Sequence, residues 1–474
     1  MSDLEDLRAH RKSKRLSSFD KLADNMANAS ARIASPVSRA SSRVFRDKAQ
    51  AIHRGLTELG EGSAASLVFP AWVLFGASGW WSSNAIFAEL PLFVVTLPGG
   101  EKLGSQLAMM TQLGNFFLVT YKALEYYDKV NVSKTIHAMM ASGVAALISC
   151  AFFWDTLVNG ESLPLLGLMV MAGGVGCMSN ATYWAFVISY PAACTKAVGI
   201  GMSAGGVLTT SLVALQLGGR PAGRPRFGAR VFFALAAGLQ GVCWAVVLWM
   251  QRAGGQAEVS RAGALQSASE GLLQKGRKAP CGALDQADNI RDPSLEHCDG
   301  PRRMPHGSGM ACALNASSFF LHAATYTLPS LLPFAASAYP GSDIEQQLLL
   351  WMLVFQQGGE TLGRVMAPVS REWKLLPRLA AACAPVVFVF FLSSAVCPQM
   401  LAEAISVHLA SKLLPVMCLG YYFSYGVLQT FMFIQAHSFV DDKAVAERIA
   451  SNMGFLGQLG SLVANILTFT VVNG

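Results

Sequence analysis

Apolar residues fall along this chain in long blocks, separated by short polar breaks that contain Gly, Pro and charge. The blocks lie near 65–96, 103–123, 134–154, 163–189, 194–217, 229–250, 310–334, 346–369, 376–397, 405–434 and 448–472. A membrane-crossing helix needs about 20 predominantly apolar residues, and each block is long enough. The pattern therefore predicts an all-α polytopic membrane protein with about eleven transmembrane helices. Segments of about 10 residues with strict apolar–polar alternation are absent, which excludes an outer-membrane barrel. The block at 405–434 contains Pro415 and Gly420, so a kink or an interfacial start is expected there.

Two polar stretches interrupt this pattern. Residues 1–62 are rich in Ser, Ala and Arg and have no apolar core, so they are not a secretory signal. They read as a disordered, basic cytoplasmic tail. Residues 251–309 read as a cytoplasmic linker that divides the helices into a six-helix bundle, 63–250, and a five-helix bundle, 310–474. Two bundles joined in this way suggest a major-facilitator-like or nucleoside-transporter-like plan for a secondary transporter.

Lys and Arg set the orientation. With the N-terminus inside, the inner connections carry Lys122, Lys129, Lys134, Lys196, Arg364, Arg371, Lys374, Arg378, Lys443 and Arg448, whereas WDTLVNGESLP and AYPGSDIEQQ outside carry none. The C-terminus is then outside, and the plasma membrane is the expected location. One loop runs against the rule: residues 218–230 hold four arginines on the outer side. Composition agrees with a membrane protein, with 53% hydrophobic and 14% charged residues and a mean hydropathy of +0.40. The net charge of +7 relates to topology and the lipid surface rather than to nucleic acid.

The ten cysteines are scattered without CxxC pairs or metal-ligand spacing, so no metal site or cofactor is expected. No Walker A, HExxH or GxSxG motif is present, and the chain does not read as an enzyme. The Gly-rich runs GGVGCMSN and GIGMSAGG lie within membrane helices and read as small-residue packing faces.

The informative residues are the polar ones inside the apolar blocks. In FGASGWWSSNAIFAELP, Trp80, Asn84, Phe87 and Pro91 follow i, i+4, i+7, i+11 and share one helical face. Glu89 sits off that face, and its role depends on whether the helix breaks before Pro91. Gln112 and Asn115 are three apart in the second block. Glu360 and Arg364 are spaced i, i+4 in the eighth, beside Gln356 and Gln357. Tyr425 in the tenth and Gln458 in the eleventh complete the set. His322, His408 and His437 read as proton carriers or as hydrogen-bonded packing residues. A cavity lined by amides, hydroxyls and aromatic rings suits a neutral or weakly charged, planar, polyhydroxylated solute. The substrate-binding candidates are Trp80, Asn84, Gln112, Asn115, Tyr425 and Gln458. The coupling or gating candidates are Glu89, Glu360 and Arg364.

The same residues carry a family resemblance. FGASGWWSSNAIFAELP resembles the first helix of the eukaryotic riboflavin transporters, solute carrier family 52, with Phe75, Gly76, Trp80, Asn84, Glu89, Leu90 and Pro91 in register. Gln112, Leu113 and Asn115 resemble that family's second helix. Gly201, Gly206, Leu328, Pro329, Ser424, Tyr425, Gln458 and Gly460 also fit. Phe87 stands where the family has tryptophan. The resemblance implies an eleven-helix carrier in the lipid bilayer with riboflavin as its transported partner, facilitative or proton-coupled. A carrier of another planar solute such as a nucleoside, and a non-transporting membrane receptor, are the alternative expectations. The sequence does not specify an oligomeric state.

Overall fold

The computed structural model describes residues 65–127, 130–187, 192–276, 308–339, 341–367, 375–438 and 443–473. The tail expected over 1–62 lies outside them, as does most of the expected linker. Every named element is an α-helix: α1 (Ala65–Ala77), α2 (Trp81–Ala88), α3 (Leu90–Thr96), α4 (Lys102–Leu113), α5 (Asn115–Tyr126), α6 (Val132–Phe153), α7 (Leu163–Val187), α8 (Ala192–Leu217), α9 (Ala229–Gly276), α10 (Ser308–Ser337), α11 (Ser342–Met366), α12 (Leu375–Val396), α13 (Pro398–Ala404), α14 (Val407–Ser438) and α15 (Lys443–Asn473). Among the described residues, six helices are long and apolar enough to cross a membrane: α6 to α9, α12 and α15. A seventh span follows if the short α13 and the long α14, bent by 114°, count as one. This bend falls at the start of the block where the sequence predicts an interfacial entry. The protein is an integral membrane protein.

The first apolar block is not one helix but three, α1 to α3, broken at residues 78–80 and at Glu89. The second is divided at Gly114 into α4 and α5. Helix α9 continues past residue 250 to Gly276, so the expected linker begins as continuous helix. Its 48 residues correspond to about 72 Å at 1.5 Å per residue, far more than a bilayer core of about 30 Å.

Small residues let the helices approach closely, as the sequence predicts for its Gly-rich runs. A methyl at Gly201 would overlap the Val73 carbonyl, and one at Gly76 would overlap that of Val198, so α1 and α8 meet backbone to backbone. In α11 and α14, Gly359, Gly363 and Gly426 face the carbonyls of Leu419, Phe423 and Glu360 in the same way. Lipid gives no hydrophobic drive between helices, so this van der Waals contact holds them together.

The arginine-rich loop finds a physical reason here. Arg226 donates to the carbonyls of Leu215 and Gly218, at 2.6 and 2.9 Å, at the end of α8. Arg230 donates to the Ala151 carbonyl near the end of α6, at 3.2 Å. Cations belong at helix C-termini, where carbonyls lack intrahelical partners. At least two of the four arginines are therefore bound as helix caps.

Candidate functional site

The breaks in the first apolar block build the site. Gly79 lies where a methyl would sit 2.9 Å from the Ser179 hydroxyl, so the chain turns there against α7. The second break follows from Pro91, which has no N–H to donate and clashes with the carbonyl four residues earlier. Trp80 at the end of the first break and Ser83, Asn84 and Phe87 of α2 face a central cavity. The other walls come from α4 (Thr111, Gln112), α8 (Met202, Thr210), α10 (Thr325, Tyr326), α11 (Gln356, Gln357, Glu360, Arg364) and α14 (Tyr422, Tyr425).

Aromatic rings form one side. Trp80 stacks on Tyr326, with centroids 5.4 Å apart and planes at 26°. Tyr326 stacks in turn on His322 at 5.7 Å. Tyr425 meets both edge-on, at 6.4 and 5.8 Å. Gly176 leaves room for the indole, since a methyl there would lie 2.6 Å from the ring. Amides form another side. Asn115 donates to Gln112 Oε1 at 2.9 Å, which orients Gln112 and leaves its amide nitrogen to the cavity. Gly206 opens a slot filled by the Gln357 amide, with the Asn84 amide nitrogen 3.2 Å from where a methyl would be.

The floor holds a buried ion pair. Arg364 donates to Glu360 Oε1 through Nε at 3.1 Å and Nη2 at 2.6 Å. Its Nη1 reaches across to the Gly199 carbonyl of α8 at 3.1 Å.

Six of the nine residues singled out in the sequence thus line the cavity: Trp80, Asn84, Gln112, Tyr425, Glu360 and Arg364. Asn115 stands one contact behind Gln112. Gln458 and Glu89 do not line it. Gln458 is buried in α15, and neither of its amide atoms has a partner among the described residues. Glu89 is fully buried at the second break, where its polar neighbour is the Gln216 side chain of α8. Tyr326 and Thr325 were not singled out; the signal for them was the polar cluster HAATYT just before Pro329. His322 is buried one ring behind the cavity and is hydrogen-bonded at both ring nitrogens. Its Nδ1 lies 2.8 Å from the Ser318 carbonyl and must donate, so Nε2 is left to accept from the Gln429 amide at 3.1 Å.

The cavity holds about 70 Å³ of open space, against roughly 300–1,000 Å³ for a pocket that encloses a drug-sized ligand. Both of its ends are bridged. At one, the loop after α8 binds α11: Gly223 N–H donates to Gln346 at 2.9 Å, and Gln347 donates to the Leu217 carbonyl at 2.9 Å. At the other, Trp184 stacks on Phe433 at 4.5 Å and Lys122 donates to Ser451 at 2.7 Å.

Residues 64–222 match the family model described as solute carrier family 52, riboflavin transporter. Solute carrier family 52, riboflavin transporter, member 3-A of Danio rerio is 33% identical over 150 residues, 30% of this chain and 33% of that protein. Member 3 of Homo sapiens is 29% identical over 151 residues, 31% and 32% of the two chains. Riboflavin transporter rft-2 of Caenorhabditis elegans is 29% identical over 165 residues, 33% and 34% of the two. The matches span about a third of the length of these curated relatives. Among solved structures, nucleoside transporter NupG is similar with a TM-score of 0.48 and 14% identity, covering 85% of this chain and 94% of that one. The matched segment, 64–222, carries the broken first helix with Trp80 and Asn84, and it is this segment that is similar to solute carrier family 52, the riboflavin transporters.

Proposed function

We propose that this protein is a secondary transporter that carries riboflavin across the membrane by alternating access. One observation carries the reading: stacking rings, unpartnered amides and an internally neutralised ion pair converge on one cavity between α2, α4, α8, α10, α11 and α14. Riboflavin is an uncharged flat ring system with a polyol tail. Trp80, Tyr326 and Tyr425 supply faces and edges for the ring. Asn84, Gln112 and Gln357 supply donors and acceptors for its carbonyls and hydroxyls. The small open volume implies that the walls separate to admit substrate. The bridges at the two ends would open in turn, one toward each side of the membrane.

In this reading the first bundle is 63–250 and the second 310–474, with eleven spans in total. The N-terminus is cytoplasmic, the C-terminus is outside and the plasma membrane is the location. Arg364, held by Glu360 and bound to the Gly199 carbonyl, is the gating contact between α11 and α8. Gln458 and Glu89 act behind the cavity wall, as supports of moving elements rather than as ligands. The deciding experiment is uptake of radiolabelled riboflavin by proteoliposomes containing the purified protein, with and without a pH gradient. Uptake above that of empty vesicles, saturable and competed by unlabelled riboflavin, is the expected result. Stimulation by an inward proton gradient indicates proton coupling, and indifference indicates facilitated diffusion. Uptake that unlabelled nucleosides compete as well as riboflavin does would overturn the substrate assignment.

A further inference from the structure

Among the described residues, the side chains of the cavity lining that carry a formal charge are Glu360 and Arg364, and they are paired with each other. Both are largely buried, at 14% and 5% side-chain exposure. Their functions differ. Arg364 holds α11 to α8 through the Gly199 carbonyl. The Glu360 carboxylate makes no hydrogen bond other than to Arg364 among the described residues. A guanidinium in such a place, left alone, would be a ready receptor for a phosphate, whose oxygens match its fork of donors. Paired within the cavity, it presents no net charge. A charged ligand entering from water would then lose its hydration without compensation, at a cost that excludes it.

We infer that Glu360 is a specificity-determining residue: by cancelling Arg364 inside the cavity it restricts the site to uncharged flavins and rejects their phosphate esters. The inference rests on riboflavin as substrate and adds the discrimination among flavins that the site performs. It also explains why an arginine is tolerated in a pocket for a neutral solute. The interhelical bond needs the guanidinium, and the carboxylate silences its charge toward the ligand.

The test is equilibrium binding of riboflavin and of riboflavin 5′-phosphate to the purified full-length protein, read by quenching of flavin fluorescence. The wild type is expected to favour riboflavin by at least about tenfold, a difference of about 1.4 kcal/mol. Glu360→Gln exposes the guanidinium, and the preference should shift toward the phosphate by about tenfold. The double variant E360Q/R364Q removes both charges and should return to rejecting the phosphate. A flavin with a cationic amine on its side chain provides a measurement on the wild type alone, independent of whether the variants fold. A neutral pair rejects it as it rejects the phosphate, whereas an available Arg364 would accept the phosphate and reject only the amine. A wild type that binds riboflavin and its phosphate alike overturns the inference and leaves the riboflavin assignment intact. So does a folded Glu360→Gln protein with an unchanged ratio. A wild type that binds no riboflavin overturns the assignment itself and the inference with it.

Discussion

At the scale of single residues, the proposed substrate site turns on Asn84 and Trp80, which both line the cavity. The Asn84 backbone N–H donates to the Trp80 carbonyl, whereas its side-chain amide faces the cavity with no hydrogen-bond partner among the described residues, so that amide is available to a ligand. Asn84→Ala is expected to lower riboflavin uptake about tenfold, the equivalent of one good hydrogen bond of about 1.4 kcal/mol, with surface expression unchanged. Uptake at the wild-type level would remove Asn84 from the site. Trp80→Phe keeps a ring over Tyr326 and should retain more transport than Trp80→Ala; equal loss in both would count against stacking. Gly206 is a subtler case. An added methyl would collide with the flexible end of Gln357 rather than with backbone. Gly206→Ala should therefore raise the KM for riboflavin while the melting temperature stays near that of the wild type.

At the scale of elements, the apolar blocks that fail to form long apolar helices are those that line much of the cavity. Helices α1 to α5 are broken, and α11 carries Gln346, Gln347, Gln356, Gln357, Glu360 and Arg364 within 25 residues. Discontinuous, polar-marked helices are where carriers place their binding sites, because broken backbone is tolerated in a membrane only where it meets protein or a cavity. The α11 and α14 pair is expected to be the stiffest contact. Gly363→Ala would push against the Phe423 carbonyl and should cost about 1–3 kcal/mol, seen as a lower melting temperature in detergent. Arg226 illustrates a different rule. It caps α8, so Arg226→Ala should lower thermal stability yet leave the orientation of the protein unchanged. Reversed orientation in an impermeant-label assay would show that this arginine acts as a topology signal instead.

For the whole molecule, the loops at 154–162 and 218–228 belong on the outer face in the proposed topology. Cysteine placed at Asn159, in a cysteine-depleted background, should react with a membrane-impermeant reagent applied to intact cells. Labelling only after permeabilisation would invert the topology. Removing the bridge on that face should bias the carrier toward opening there. Gln347 donates to the carbonyls of Leu217 and Arg220, so Gln347→Ala is expected to speed labelling of a cysteine placed at Thr210 on the cavity wall.

Much of this molecule is legible in its residues because membrane constraints are local. A run of about 20 apolar residues must become a helix to satisfy its backbone, and a polar side chain within one costs enough to mark a function or a partner. The i, i+4 spacing put Glu360 and Arg364 within reach of each other, and i, i+3 put Gln112 and Asn115 on one face; that the second two bond to each other was seen only in the structure. What tertiary structure decided is every relation between distant segments: that Trp80 meets Tyr326, that Gln357 fits into Gly206 beside Asn84, that Arg364 reaches Gly199, and that Gln458 and Glu89 stay out of the cavity. Periodicity says which residues share a face of their own helix. Which helix that face meets depends on how closely small residues let the backbones approach, and that is a property of the packed bundle.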